Sequence, residues 1–389
     1  VTLFEAAPRL GGHAHTVDVD APHGTIPVDV GFIVYNRATY PHLCRLFTEL
    51  GVATQGSDMS FSVRNPATDS EWSAQAPFAR RRSLTSASHW RMLLDWRRFK
   101  RQAEELLDDG PDESLEAWLA ARGYSEVFIE DFLLPMGASI WSTDRASMRR
   151  FPAKFFARFF FQHRFLDVGG QPEWRTVVGG SRRYVEALTH KFQHQVRLGH
   201  AVKTVRRTPE GVELVVDGQT HRYDRVVLAL HSDQALRLLD QPSAREQAIL
   251  GALPYQKNEA VLHHDIRFLP RRKAAWASWN YRVQDSQREG VDVTYDMTRL
   301  MRLGGARRYL VTLNPKTPIA ESAVHHRQSF AHPLFTPEGV AAQKRFEEID
   351  GEGGVHYCGA YWRYGFHEDG CWSGERAARR VLESACKAA

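Results

Sequence analysis

Three stretches carry residue types that can do chemistry. The first is Val1-Thr2-Leu3-Phe4-Glu5, a short apolar strand pattern closed by a carboxylate and followed by Ala6-Ala7-Pro8-Arg9-Leu10-Gly11-Gly12, a loop rich in turn residues. A carboxylate ending the second strand of a βαβ unit accepts hydrogen bonds from the ribose hydroxyls of a dinucleotide, and Glu5 fits that role, with a solvated loop acid as the competing reading. The second stretch lies near the other end. Residues 355–360 read as a strand reaching Gly359 and Ala360, and a short connection later Asp369-Gly370-Cys371-Trp372-Ser373-Gly374 opens a helix rich in small residues. A helix N-terminus presents free N–H groups that stabilise negative charge on a bound ring, and small residues let the backbone come close. A thiol placed there, Cys371, is expected to have a lowered pKa, which makes it a candidate reactive group, with a small packed residue as the competing reading. The third is aromatic: Trp276, Trp279, Tyr281, Trp362 and Tyr364 can wall a substrate, with His367 and Glu368 as polar contacts. Core packing is the competing reading for these rings. Lys273 is a further candidate, although Arg271-Arg272-Lys273 has the composition of solvated surface.

The elements that must position these residues have an α/β texture at both ends and in the middle. Val28-Asp29-Val30-Gly31-Phe32 reads as a Gly turn feeding an amphipathic helix over residues 40–50, with Leu43, Leu46, Phe47 and Leu50 on one face and Gly51 as its stop. Gly179-Gly180-Ser181 opens another helix. Strands are expected at 201–205, at 212–216 and 220–223 as a hairpin around Asp217-Gly218, and at 225–230 as a parallel-type strand. Residues 56–170 change character, with long helical patterns and few strand signals, and residues 236–340 show strands near 260–264, 274–281, 291–295 and 309–313. The fold class read from this is α/β: a discontinuous Rossmann-type domain from residues 1–55, 171–235 and 341–389, and a mixed α+β substrate domain from 56–170 and 236–340.

Composition excludes several classes. With 389 residues, 43% hydrophobic and 25% charged, the chain is neither disordered nor collagen-like. A net charge of +5 from 51 basic and 46 acidic side chains is too small to imply a nucleic-acid partner. The four cysteines have no Cys-x-x-Cys spacing and read as free thiols of a cytoplasmic protein. No apolar run reaches the roughly 20 residues of a bilayer span. The pairs His13/His15, His263/His264 and His325/His326 lack zinc-site spacing, so no metal is expected.

Glu5, Arg9, Gly11, Gly12 and Thr16 at one end, with Gly359 and the Gly370-led helix at the other, resemble the flavin amine oxidase and phytoene desaturase superfamily in order and spacing. That resemblance implies an amine oxidase-like architecture and an FAD held by Glu5, Arg9, Gly11, Gly12, Gly31, Phe32, Val202, Gly359, Ala360, Asp369, Gly370 and Cys371. Gly179, Gly180, Ser181 and Val205 map to further contacts. It also places the G-x-G-x-x-G turn just upstream of Val1, so the chain is expected to be N-terminally truncated. Ile140-Trp141-Ser142-Thr143, Phe151-Pro152, residues 275–281, Leu313-Asn314-Pro315 and Gly365-Phe366-His367-Glu368-Asp369-Gly370 are similar to a bacterial group of predicted NAD/FAD-binding oxidoreductases. That group resembles the flavoprotein domain fused to plant cyclopropane-fatty-acid synthases. Ala360 stands where the broader pattern has an acid, and His13 where it has Arg. No cysteine occupies the covalent-flavin position, which implies non-covalent FAD.

The implied reaction is hydride transfer from substrate to flavin N5, with His367, Glu368, Trp279, Tyr281 and Lys273 as the candidate catalytic set. The resemblance favours a lipid acyl chain as substrate, by desaturation or a related oxidation, and a functional link to a cyclopropane-fatty-acid synthase-like methyltransferase. An amine substrate is the alternative, and a non-catalytic flavin-containing or membrane-binding module is the other. Residues 80–101 carry many basic side chains among Trp90, Met92, Leu93, Leu94, Trp96 and Phe99. Met92, Trp96, Phe99, Ala103 and Leu106 follow helical spacing, a pattern that packs on a domain or lies on an anionic leaflet, peripheral to the inner membrane.

Overall fold

The computed structural model describes residues 1–388 except 23, 109–111, 167–170 and 284–290. Leu3–Glu5 pairs in parallel with Val196–Leu198, placing Glu5 opposite Leu198, and Val226–Leu228 pairs in parallel with Val355–Tyr357. Parallel neighbours require crossovers, and the long intervening segments supply them. A three-stranded antiparallel meander, Val202–Thr208, Gly211–Val216 and Gln219–Tyr223, packs beside them. Its tight turn is Asp217-Gly218, whose φ angles of 50° and 77° are the left-handed pair that a two-residue type I′ hairpin needs.

The second layer is a seven-stranded sheet in the order Val324–Pro333, Tyr255–His263, Leu310–Leu313, Val293–Asp296, Trp279–Arg282, Phe61–Asn65, Ser70–Ser73. Every neighbouring pair is antiparallel except Trp279–Arg282 with Phe61–Asn65. Helices Ala87–Gln102, Leu115–Ala121, Leu134–Trp141 and Ala153–Gln162 cover it, and Phe99, Trp118, Phe128, Phe156 and Phe160 form the centre of the largest hydrophobic core.

Several elements differ from the sequence expectation. Residues 56–170 contribute the strands Phe61–Asn65 and Ser70–Ser73; Ser62 and Ser73 are buried there, and a buried serine in a strand breaks the alternation that marks one. The ten-residue strand Val324–Pro333 was invisible for the opposite reason: it is a polar, half-exposed sheet edge. Of the expected 274–281 strand only Trp279 to Tyr281 are extended, in the strand Trp279–Arg282, and Lys273–Ala275 forms a 3-10 turn instead. The C-terminal helix spans His367–Ala388, so it begins three residues before Gly370.

The basic segment is a 3-10 turn, Arg81–Thr85, and the helix Ala87–Gln102, started by Ser86, whose hydroxyl accepts the His89 N–H. Met92, Phe99, Ala103 and Leu106 are buried in the core and Trp96 packs against it. The face that hydrophobic periodicity assigns to a leaflet is therefore committed to the protein interior.

Candidate active site

The loop after Glu5 is fixed by its own backbone. Ala14 N–H bonds Gly11 O at 2.8 Å, and Arg9 donates to Gly12 O at 2.9 Å and Leu10 O at 3.2 Å, so the guanidinium staples the loop. One oxygen of Glu5 accepts the Ala7 N–H at 2.8 Å. The Gly31 segment runs alongside, with Val30 N–H donating to His15 O at 2.9 Å and Phe32 N–H to His13 O at 2.8 Å. A Cβ on Gly31 would sit 1.9 Å from His13 O, so only glycine permits this contact.

Asp29, just before that glycine, is buried and accepts hydrogen bonds from the Thr16 hydroxyl (2.6 Å), the Ser181 hydroxyl (2.8 Å) and the Ser181 N–H (2.9 Å). Burial pushes its carboxyl up to about 6 despite these bonds. Asp29 thus ties the strand hairpin Thr16–Ala21/Gly24–Asp29 to the helix Arg182–Thr189. Ser181 is spent on this joint.

At the other end, Ser373 joins strand to helix: its hydroxyl accepts the Gly359 N–H at 2.9 Å and lies 3.1 Å from Gly359 O and Gly370 O. The first-turn carboxylates of the helix are both engaged. Glu368, 5% exposed, accepts the N–H groups of His42 (3.1 Å) and Leu43 (3.0 Å), capping the helix Pro41–Glu49. Asp369 accepts those of Phe366 (2.9 Å) and Tyr364 (3.2 Å), and burial pushes its carboxyl up to about 7. Cys371 corrects the reactive-thiol expectation. Burial, then Glu375 and Glu368, push this thiol up to about 12, outweighing the helix N-terminus.

Between the two ends lies a cavity of about 170 Å³. Gly31, Phe32, His13, His367, Trp141, Trp279, Phe330 and His332 are among the residues that line it. The His367 ring stacks on Phe32 with centroids 3.7 Å apart and an interplanar angle of 19°; the His13 ring lies 4.8 Å from Phe330 and 5.4 Å from His332. Burial pushes His13 down to about 4 and His332 and His367 to about 3, so all three imidazoles are neutral near pH 7. The His332 Nδ1 faces the Asn258 amide nitrogen at 2.9 Å and accepts from it, which leaves the His332 proton on Nε2.

Of the expected catalytic set, His367 and Trp279 reach this cavity, the latter edge-on to Tyr295 at 4.9 Å. The others lie elsewhere. Tyr281 is buried in the core, Glu368 caps a helix, and Lys273 is exposed, 5.8 Å above the Trp276 ring. Trp276 donates its Nε1–H to Pro270 O, and Trp362 belongs to the second core. Val202 is half-buried in the meander, while Ala360 opens a 3-10 turn after Gly359. The sequence reading gave no cavity role to Tyr40, Trp174, Phe330, His332 or Phe335. Phe330 and His332 lie on the unrecognised edge strand; Trp141 stood in the Ile140-Trp141-Ser142 motif, its one available signal.

The sequence profile described as flavin containing amine oxidoreductase matches residues 1–263. The chain belongs to that family. Among solved structures, the fold is similar to cyclohexylamine oxidase from Brevibacterium oxydans, at 15% identity and TM-score 0.68, over 99% of this chain and 93% of that one. Wild-type putrescine oxidase bound to putrescine gives 15% and 0.67, over 98% and 93%. A CLA-producing fatty acid isomerase from P. acnes gives 12% and 0.65, over 97% and 92%.

Membership makes this chain an FAD-dependent oxidoreductase with an amine oxidase-like α/β fold. The structure fits that cofactor at three glycines. An ideal Cβ built on Gly12, Gly370 or Gly374 meets nothing within 4 Å, and the last two lie one turn apart on the C-terminal helix, leaving its first turns bare for a close planar group. Glu5 would receive ribose hydroxyls, the Gly11-Gly12 backbone and the helix start would lie along the cofactor, and Gly31, Phe32 and His367 would border its ring. No helix among the described residues is long and apolar enough to cross a membrane.

Proposed function

We propose that this flavoenzyme oxidises an acyl chain of a lipid, by desaturation or a related reaction. One observation carries the reading: none of the residues lining the cavity is Asp, Glu, Lys or Arg, and its three histidines are held neutral by burial. An uncharged chain enters such a lining with a gain from apolar burial, whereas a cationic substrate loses its hydration without a counter-ion. FAD, when bound, supplies a hydride acceptor at N5. The protein's own part is positional. Trp141, Trp279 and Phe330 exclude water and hold the chain, while His367, stacked on Phe32, sets the near wall. Imidazoles this weakly basic suit chemistry that needs alignment of a C–H bond more than a strong base.

The aromatic walls favour an amine as the second reading, because π faces attract ammonium groups; the similar folds of putrescine and cyclohexylamine oxidases are compatible with it. A functional link with a cyclopropane-fatty-acid synthase-like methyltransferase belongs to the acyl proposal alone. Anaerobic titration of the flavin-loaded protein separates the readings. Phospholipid vesicles or free fatty acids are expected to bleach the flavin absorbance, and amines to leave it unchanged. Bleaching by amines alone would replace the acyl substrate with an amine.

A further inference from the structure

With Met92, Asp95 and Phe99 turned inward, the helix Ala87–Gln102 presents a second face to solvent. Trp90, Leu94, Arg97 and Arg101 follow one another at spacings of four, three and four residues, which places them on a single stripe, and all four are exposed. Trp90 and Leu94 are 46% and 63% exposed. Leu84, 53% exposed on the preceding turn, extends the apolar end, since the Trp90 Nε1–H donates to its carbonyl at 2.9 Å. Trp90 is the one aromatic among the large hydrophobic side chains that the described residues expose.

Charge is arranged to match. Arg91 and Arg98 share buried Asp95, which also accepts from Ser125, so one carboxylate offsets one of these two charges within the fold. Arg81, Arg82, Arg97 and Arg101 are exposed with no acidic partner among the described residues, against Glu104 in the next turn; Glu105 is paired with Arg122. A stripe with Trp and Leu at one end and unpaired guanidinium groups at the other matches a bilayer surface. The indole and leucines enter the headgroup boundary, and the long basic side chains reach back to anionic phosphates.

We infer that this outer face, Leu84, Trp90, Leu94, Arg97 and Arg101, docks the protein on an anionic lipid bilayer. The inference stands apart from the substrate reading: docking without flavin bleaching by lipid would keep the first and remove the second. Cosedimentation of the flavin-loaded protein with equimolar phosphatidylglycerol and phosphatidylcholine vesicles is expected, with little on phosphatidylcholine alone and release by high salt. Arg97→Gln with Arg101→Gln lowers partitioning roughly 25-fold, at roughly fivefold per basic side chain. Trp90→Ser with Leu94→Ser lowers it roughly tenfold or more through lost apolar burial. The arginine pair leaves the thermal midpoint near the parent's, because both side chains are exposed; Trp90→Ser also removes the bond to Leu84 O and the ring contact with Phe78, so Leu94→Ser alone serves as the apolar variant whose midpoint stays near the parent's. Absence of sedimentation with anionic vesicles, equal binding to phosphatidylcholine alone, or binding that both variants retain overturns the inference; a protein partner would then be the occupant to seek.

Discussion

Replacing Gly31 with alanine is expected to abolish flavin retention and destabilise the protein by about 3 kcal/mol or more. The new Cβ would stand 1.9 Å from His13 O and 3.2 Å from the Phe330 ring, distances no side-chain rotation relieves because the first neighbour is backbone. Separating the two segments breaks the Phe32 N–H bond to His13 O and shifts both Phe32 and His13 at the cavity wall. The informative partner variant is Gly370→Ala. Its Cβ meets nothing in the protein, and alanine gains up to about 1 kcal/mol over glycine inside a helix. Gly370→Ala should therefore leave the apoprotein's melting temperature unchanged or slightly raised, while lowering FAD affinity if the cofactor lies on that bare helix start. Flavin-to-protein absorbance ratios and melting curves of the two variants check both effects. A Gly31→Ala protein with full flavin content and parental stability would remove the close approach from the account.

Acidification from pH 7 to pH 5 is expected to cost on the order of 6 kcal/mol of stability, comparable to the whole margin of a typical domain. His13, His163 and His263 are pushed down to about 4, and His332 and His367 to about 3, in every case chiefly by burial. A depressed folded-state pKa means that the unfolded chain binds protons first. Stability from these groups is complete above the unfolded value of about 6.5 and is lost as pH falls toward the folded values. Each histidine forfeits about 2 kcal/mol over the interval. Asp29 and Asp369 act in the opposite sense: with folded values of about 6 and about 7, they take up protons in the native state and return about 4 kcal/mol together. Urea unfolding at the two pH values measures the net. His263 isolates one contributor, since its Nε2 donates to Thr312 Oγ1 at 2.7 Å and its Nδ1 accepts the Asp265 N–H at 3.1 Å. His263→Gln should lower stability at pH 7 and reduce the loss between pH 7 and 5 by about 2 kcal/mol. Unfolding midpoints that do not move between the two pH values, together with a His263→Gln variant whose pH dependence equals the parent's, would show that these imidazoles are not held neutral.

What the sequence determined by itself was local. The hairpin at Asp217-Gly218, the helix Pro41–Glu49 and the parallel strands Val226–Leu228 and Val355–Tyr357 were legible because turn residues and hydrophobic periodicity act within a few residues of one another. The glycines Gly11 and Gly31 stand where the backbones of Ala14 and His13 come too close for a Cβ, and such an approach leaves glycine in the sequence. The tertiary structure decided which side chains meet. Glu368 and Trp279 looked equivalent as candidates, yet one caps a helix 325 residues away in sequence and the other lines the cavity. His332 carries no local signal; it reaches the cavity because an exposed-looking edge strand pairs with Tyr255–His263. Likewise the basic helix announced its amphipathic pattern, but which of its two apolar faces met the core depended on the packing around Phe99 and Trp118. Periodicity fixes the faces of a helix, and only long-range burial selects the one that stays in water.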